Sequence, residues 1–287
     1  MIELNPAQRR LRSGDVLSAC LIGKVQRHTE SFGNGDCLLF DFDHRIFAVS
    51  DASERCPQAS RRLLQALAVC ACRMPWPDCL EAAWRTQPYV QKTTFVGVQI
   101  EMDPTPCARI VAGGDSMIWI VDRLNGKMLF RNAPDMHVAG GMSEMPGAIR
   151  VLLTPGSRIV LASDGIMDVL ERNGEDGGMI SGLAMGAAPM DWIGKIQNMV
   201  RQKQCRSVVH DDIAVMVIDP FKEGPAWPQI LLFGGTSPHE EAHFAGSSLP
   251  GAWMTIEEAE RQGWPETMGM RFCDIAGSDR QGFQKSA

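Results

Sequence analysis

The chain has 287 residues, of which 45% are hydrophobic and 22% are charged, a composition typical of a globular protein with a packed core. Its net charge of −6 disfavours nucleic acid or an anionic membrane as the main partner, since either would require a basic surface. No run approaches the roughly 18 apolar residues of a membrane span, and no export signal follows the first residues, so we expect a cytoplasmic protein.

Short runs rich in Val, Ile, Leu and Phe, bounded by Gly, Pro, Asp and Asn, predict β-strands along most of the chain. The predicted strands are Val16–Lys24, Cys37–Phe42, Arg45–Ser50, Thr93–Glu101, Cys107–Ala112, Met117–Val121, Lys127–Phe130, Arg158–Ala162 and Ile213–Ile218. Turn residues at Asp41–His44, Asp103–Pro106 and Asp122–Gly126 predict hairpins between neighbouring strands.

Helical periodicity appears in two groups between these strands. The predicted helices are Pro57–Arg73, Asp78–Gln87, Gly165–Glu171, Met179–Met185 and Met190–Lys203. Helices grouped between blocks of hairpin-linked strands favour an α+β fold in which two facing antiparallel sheets carry helices on their outer sides.

The composition changes after Ile218, where Pro, Gly and Trp become frequent. We therefore expect residues 1–219 to form one domain and residues 220–287 to form an extension that packs on this core or on a partner. Within the extension, Gln229–Phe233 is predicted as a strand and Thr255–Gln262 as a helix.

Nine cysteines, an odd number without C-x-x-C spacing, lie mostly within apolar runs. Cysteine in such runs behaves as a small buried hydrophobe, so we expect free thiols in a reducing compartment. A metal site formed by Cys70, Cys72 and Cys79 is the alternative interpretation.

Four aspartates, Asp51, Asp115, Asp164 and Asp211, each lie at the edge of an apolar run, where a strand meets a turn. Any one of them alone is typical of a turn or a helix cap. Brought together by neighbouring strands, however, such carboxylates would repel one another unless cations neutralised them. Oxygen ligands select hard cations, so the pattern indicates Mg²⁺ or Mn²⁺.

The order and the flanking residues of these aspartates resemble the type 2C metal-dependent serine/threonine protein phosphatases. The matching segments are Ile46–Asp51, Thr93–Val96, Ala112-Gly113-Gly114-Asp115-Ser116, Leu161-Ala162-Ser163-Asp164-Gly165-Ile166-Met167-Asp168-Val169-Leu170 and His210-Asp211-Asp212-Ile213-Ala214-Val215. The resemblance spans about Leu21 to Asp219, and the short linker between Asp115 and Asp164 indicates a compact member, similar to bacterial ones.

The resemblance implies a four-layer α/β/β/α sandwich and the hydrolysis of phosphoserine or phosphothreonine in a phosphoprotein substrate. It implies two Mn²⁺ or Mg²⁺ ions, with a third in some relatives, and direct attack by a metal-bridging hydroxide. The expected partners are this substrate and a regulatory protein that binds the C-terminal extension.

The resemblance also assigns roles to individual residues. Asp51 is expected to bridge two ions, and Asp164 and Asp211 to hold one of them, so that these three aspartates are the expected catalytic set. Asp36 would join through water, and Asp115, together with Asp164 or Asp168, would form the third-ion site.

The loop after the bridging aspartate departs from the family pattern. Relatives usually have Asp-Gly-x-Gly-Gly, whereas this chain has Asp51-Ala52-Ser53-Glu54-Arg55. Ala52 would have to offer its carbonyl to metal in place of the glycine, and Gly35 stands where a carboxylate or amide is common. These departures predict that the second ion binds more weakly than the first.

The phosphate-binding arginine of the family falls at Ser31 in this chain. Arg27 and Arg55 are the candidates to replace it. The altered loop also motivates an alternative function, a pseudophosphatase that acts as a regulatory binding module.

A different motif, His239-Glu240-Glu241-Ala242-His243, matches the H-E-x-x-H pattern of zinc proteases, in which two histidines one helical turn apart bind Zn²⁺. The Gly- and Pro-rich surroundings and the charged Glu241 disfavour a zinc protease, which remains a minor alternative.

Overall fold

The computed structural model describes residues 2–5, 10–13, 16–24, 34–140, 143–170, 188–205, 210–222 and 230–236. Within these ranges the strands are β1 (Ile2–Asn5), β2 (Arg10–Ser13), β3 (Leu17–Ile22), β4 (Asn34–Asp41), β5 (Ile46–Asp51), β6 (Phe95–Glu101), β7 (Cys107–Gly113), β8 (Met117–Asp122), β9 (Met128–Arg131), β10 (Ile149–Leu152), β11 (Ser157–Ala162), β12 (Ile213–Ile218) and β13 (Ile230–Thr236). The helices are α1 (Gln58–Ala71), α2 (Asp78–Arg85), α3 (Gly165–Leu170) and α4 (Pro189–Cys205).

The strands form two antiparallel sheets. The seven-stranded sheet has the order β1-β2-β3-β12-β11-β8-β9, and the six-stranded sheet has the order β10-β7-β6-β5-β4-β13. The central strands are buried on both faces. On β4, Leu38 and Phe40 pack in the core between the sheets, whereas Cys37 and Leu39 pack in a second core beneath α1 and α2. Successive residues of a strand point to opposite faces, so this burial on both sides requires a layer outside each sheet.

Helices supply those outer layers. The apolar face of α1 and the neighbouring α2 cover the six-stranded sheet, with the buried Trp76 between them. The helices α3 and α4 cover the seven-stranded sheet, where Trp192 and Ile196 of α4 pack against β12 and β11. The four-layer α/β/β/α sandwich expected from the sequence is therefore confirmed.

Most predicted elements are observed with their ends shifted by a few residues. The turn predicted at Asp41–His44 joins β4 to β5, and the residue after it, Arg45, has a positive φ of 54°. The strand predicted at Gln229–Phe233 is β13, which pairs with β4 at the edge of the six-stranded sheet. The helices predicted at 179–185 and 255–262 lie outside the described residues.

Three strands were not predicted from the sequence. The strands β1, β2 and β10 are each four residues long, and β1 and β2 contain charged residues and Asn. Ile149 and Leu152 on β10 are 51% and 58% exposed. Such strands form by pairing with a neighbour, so they lack the apolar alternation by which strands are found in a sequence.

Eight cysteines are free thiols in the described part of the chain, as expected. Within that part, Cys70, Cys72 and Cys79 do not form a metal-binding group. Burial raises the pKa of the Cys79 thiol to about 12, which keeps it protonated and hydrophobic in character. No helix in these ranges is both long enough and apolar enough to cross a membrane.

A buried ion pair joins β11 to the residue that follows β12. Arg158 is 0% exposed and donates from Nε and Nη2 to the two carboxylate oxygens of Asp219, at 2.7 and 2.8 Å. The Nη1 atom of Arg123 lies 3.4 Å from the same carboxylate. Such a bidentate pair compensates the cost of burying the guanidinium.

We predict that Asp219→Asn destabilises the protein by about 3–5 kcal/mol, because it leaves the buried Arg158 charge without a carboxylate. The free energy of unfolding, from urea or thermal denaturation, is the measurement. The matched control is Glu144→Gln, which neutralises an exposed carboxylate and should change stability by less than about 0.5 kcal/mol. Equal effects of the two substitutions would contradict a stabilising role for the ion pair.

Candidate metal centre

Segments that carry the predicted aspartates meet at one end of the sandwich. Asp51 is the last residue of β5, and Asp164 follows β11 by two residues. Asp115 lies in the connection by which the chain crosses from β7 in one sheet to β8 in the other. Asp211 precedes β12, the neighbour of β11. The termini of well-packed strands are rigid, so the fold holds these side chains in place.

Three of the aspartates form a compact cluster. Asp51, Asp115 and Asp164 each offer a carboxylate oxygen, and these atoms all lie within 4.8 Å of one another. Asp115 is exposed, whereas Asp51 and Asp164 are half-buried, so the cluster opens to solvent on one side. This all-oxygen donor set is of the kind that hard divalent cations prefer.

Asp36 extends the acidic cluster into the interior. It pairs with Asp51 across β4 and β5 and is 0% exposed. Its Oδ2 accepts a hydrogen bond of 2.7 Å from the hydroxyl of Ser163. Its Oδ1 is buried without a hydrogen-bond partner among the described residues. A buried carboxylate oxygen that lacks a donor indicates that the site requires a further positive or polar group.

Burial and mutual repulsion raise the pKa values of these carboxyls. Burial, followed by the charges of Asp36 and Asp164, raises the pKa of Asp51 well above its usual range. Burial, followed by the charge of Asp212, does the same for the pKa of Asp36. Burial and the charge of Asp115 raise the pKa of Asp164 to about 6. Because the cluster holds negative charge at a cost, its residues fit a divalent cation.

Asp211 lies beside this cluster and is held by a lysine. Its charge contributes to the raised pKa values of Asp51 and Asp164, and its side chain is 57% exposed. Its Oδ1 accepts a hydrogen bond of 3.1 Å from Lys24 Nζ and one of 2.7 Å from the backbone N–H of Asp212. Asp211 therefore stands at the edge of the metal-binding group, with one oxygen already engaged.

Lys24 also contacts Glu54, since its Nζ lies 2.8 Å from Glu54 Oε2. Burial lowers the pKa of the Lys24 ammonium, but the hydrogen bonds and charges of Glu54 and Asp211 outweigh this effect and raise the pKa above 10.5. The side chain is therefore an ammonium cation at neutral pH.

A cavity of about 560 Å³ contains the cluster. Its wall is formed by Lys24, Asp51, Ala52, Ser53, Glu54, Lys92, Thr93, Thr94, Gly114, Asp115, Asp135, Met136, Val138, Asp211 and Asp212. Arg55 is exposed and does not line this cavity. Arg27, the other predicted phosphate-binding residue, lies outside the described residues, as do residues 239–243 with the H-E-x-x-H motif.

Lys24 and Lys92 are the cationic side chains of the described cavity wall, and the sequence interpretation missed both. The family pattern places an arginine a few residues before Asp36, at the position of Ser31, whereas the cations of this cavity are lysines. In the structure, β3 pairs with β12 so that Ile22 lies opposite Ile213, which places Lys24 beside Asp211. The position of Lys24 is therefore set by the register of β3 against β12, and the spacing of sequence motifs carries no information about that register.

Close backbone packing at two glycines keeps the aspartates near one another. Gly114 has a φ of +89°, which a residue with a side chain rarely adopts. A Cβ atom on Gly165 would lie 2.0 Å from the backbone oxygen of Asp212. Glycine at 165 therefore lets the start of α3 approach the segment that precedes β12.

Ala52 adopts an ordinary backbone conformation, because Arg45 is the only described residue other than glycine with positive φ. Its N–H donates to the carbonyl of Gly35 at 3.1 Å. A Cβ atom on Gly35 would lie 1.7 Å from the Ala52 oxygen, so this approach requires glycine at 35. The alanine in the altered loop is therefore accommodated without backbone strain.

No protein-family model matches the sequence, and no curated protein matches it. Solved structures do resemble the fold. The catalytic domain of the serine/threonine protein phosphatase PstP in complex with two manganese ions is 15% identical, with a TM-score of 0.53, over 70% of this chain and 96% of that chain. RsbX in complex with magnesium is 12% identical, with a TM-score of 0.54, over 76% and 97%.

A further similar structure is the PPM Ser-Thr phosphatase MsPP from Mycobacterium smegmatis, in complex with cacodylate. It is 19% identical, with a TM-score of 0.52, over 71% of this chain and 97% of that chain. The chain thus has the fold of the type 2C metal-dependent phosphatases, and it covers nearly the full length of each of these solved chains.

We predict that Asp164→Asn stabilises the metal-free protein at pH 7.5. The pKa of Asp164 is raised from its ordinary value of 3.8 to about 6 in the folded state. The folded state therefore binds more protons between these values, and stability falls as the pH rises from about 4 to 6. Removing the charge should raise the melting temperature by about 2–4 °C at pH 7.5 in the presence of chelator. Near pH 4 the melting temperature should not change. A benefit that persists at pH 4 would show that the effect is not electrostatic.

Proposed function

We propose that this chain is a metal-dependent protein serine/threonine phosphatase. The observation that carries the proposal is the cluster of Asp51, Asp115 and Asp164, whose carboxylate oxygens lie within 4.8 Å of one another in an open cavity. The fold supports the same function, because the similar solved structures bear the names of phosphatases.

Asp51, Asp115 and Asp164 would hold Mn²⁺ or Mg²⁺, with Asp211 at the edge of the group and Asp36 behind it. When bound, a divalent ion neutralises charge on the phosphoryl oxygens and lowers the pKa of the attacking water. The protein's own contribution is to position the carboxylates. The carbonyl of Asp51 accepts from the N–H of Thr94 at 2.8 Å and from the hydroxyl of Thr93 at 2.7 Å, which fixes the end of β5.

The remaining cavity wall suits a phosphorylated side chain. Lys92 is exposed at the cavity and can attract a phosphoryl group, and we assign it this role in place of Arg27 and Arg55. Met136 is 91% exposed and, with Val138, offers an apolar surface to the carbon atoms of a substrate. The described wall contains no cysteine. These features support direct hydrolysis of phosphoserine or phosphothreonine, without a cysteine nucleophile.

The pseudophosphatase alternative is not favoured by a specific observation. The altered Asp51–Arg55 loop motivated it, yet Ala52 lies in an ordinary conformation and Asp51 belongs to the carboxylate cluster. A binding module would not require carboxylates at such an electrostatic cost.

We also propose that residues 1–219 are the catalytic domain and that residues 220–287 bind a regulatory protein. The pairing of β13 with β4 supports attachment of this extension to the catalytic domain. The free thiols support a reducing compartment, for which we propose the cytoplasm.

The purified full chain should hydrolyse p-nitrophenyl phosphate and a phosphothreonine peptide when Mn²⁺ or Mg²⁺ is present. Excess chelator should abolish turnover, because the carboxylates then lack the ion that stabilises the phosphoryl charge. Phosphate release measured with and without metal checks this expectation. Undiminished turnover in excess chelator would show that the proposed function is wrong.

Asp51→Asn should lower kcat by about 10²-fold or more, because it removes one charge from the cluster that holds the ion. The matched control is Asp103→Asn, an exposed aspartate in the β6–β7 turn, at the end of the sheet away from the cluster. It should retain the wild-type rate. If Asp51→Asn kept more than about a tenth of that rate, Asp51 would not be a ligand.

A further inference from the structure

Lys24 is the buried cation of the proposed metal centre. Its side chain is 10% exposed, and its ammonium lies 2.8 Å from Glu54 Oε2 and 3.1 Å from Asp211 Oδ1. Its backbone N–H donates to Asp212 Oδ1 at 2.8 Å, so the residue is anchored at its main chain as well. The lysine thus joins the loop after β5 to the segment before β12.

The two carboxylates that Lys24 holds line the cavity that also contains Asp51. Glu54 is 14% exposed and lines the same cavity as Asp51. Position 35, next to Asp36, contributes no side chain, and a Cβ atom there would collide with the Ala52 oxygen. An ion at the position of the Lys24 ammonium, in the same cavity as Asp51, would take Glu54 and Asp211 as ligands.

We propose that the ammonium of Lys24 occupies the position of a second divalent ion, so that this ion binds only by displacing Lys24 from Glu54 and Asp211. This inference rests on the proposed function, since it concerns the same metal centre. The first ion, on Asp51, Asp115 and Asp164, does not require the displacement.

The Lys24 ammonium and the second divalent ion compete for the same two carboxylates, but they differ in charge and in how they reach the site. Lys24 is tethered, so it is present at a high effective concentration whatever the metal supply. A divalent ion carries twice the charge but must come from solution. Low metal therefore leaves Lys24 in place, and only a higher metal concentration fills the second position.

The test is a Mn²⁺ binding isotherm without substrate, on the full chain after removal of metal with chelator. Isothermal titration calorimetry, or electron paramagnetic resonance of free Mn²⁺, measures each affinity. The wild type should show one tight and one weak site. Lys24→Met keeps the side-chain length but removes the charge, and it should tighten the weak site by at least about tenfold. The tight site should tighten less than the weak site.

Lys92→Met is the matched control, because it removes the same charge from the same cavity wall. The side chain of Lys92 is exposed, so solvent and salt screen its effect, and the weak site should change by less than about threefold. If Lys24→Met does not unfold cooperatively in circular dichroism, Lys24→Gln replaces it, with the same expectation.

Unchanged Mn²⁺ affinities in both Lys24 variants would overturn the inference, and so would an equal change in Lys92→Met. In either case, turnover with Mn²⁺ would still support the proposed function. Two equally tight sites in the wild type would overturn the inference in the same way. No Mn²⁺ binding by any variant would overturn the inference and the proposed function together.

Discussion

Repulsion between carboxylates at one end of the sandwich is the constraint on which the rest of the site depends. Asp36, Asp51 and Asp164 all have raised pKa values, and in each case burial and neighbouring negative charge are among the causes. A chain free to relax would separate these groups, so the surrounding structure must hold them together. The strand ends, turns and close glycine contacts at this end of the molecule provide that restraint.

The sandwich holds the aspartates in place by burying apolar surface in three hydrophobic cores. One core lies between the sheets, and one lies beneath each helical layer. Burial on this scale offsets the local cost of the acidic cluster, since each fully buried aliphatic side chain contributes about 1.5–3 kcal/mol. The β7–β8 connection then carries Asp115 across from one sheet to the other, so that residues from both sheets reach the same carboxylate cluster. A single sheet would not bring these strand ends together.

The fold and the aspartates were predictable because both leave local signals. Buried strands such as β5 and β12 are continuous apolar runs, and the residues at their ends, Asp51 and Asp211, stand out by contrast. Lys24 left no such signal. It meets Asp211 through the register of β3 against β12, two segments far apart in the chain, and its role depends on that pairing. The edge strand β10 was missed for a similar reason, since partners rather than its own residues specify it.

The strand β12 shows how one element combines permanent and exchangeable charge pairing. Asp211 and Asp219, which lie near its two ends, are each paired with a cation. At one end Asp219, 2% exposed, binds the fully buried Arg158 in a bidentate pair that water does not reach. At the other end Asp211, 57% exposed, binds Lys24 through one oxygen. Burial of both partners makes the first pair costly to break, whereas in the second pair the Asp211 carboxylate is open to solvent and to other cations. The strand β12 is therefore fixed at its Asp219 end by a buried ion pair. At its Asp211 end, which faces the cavity, the proposed exchange of cations can take place.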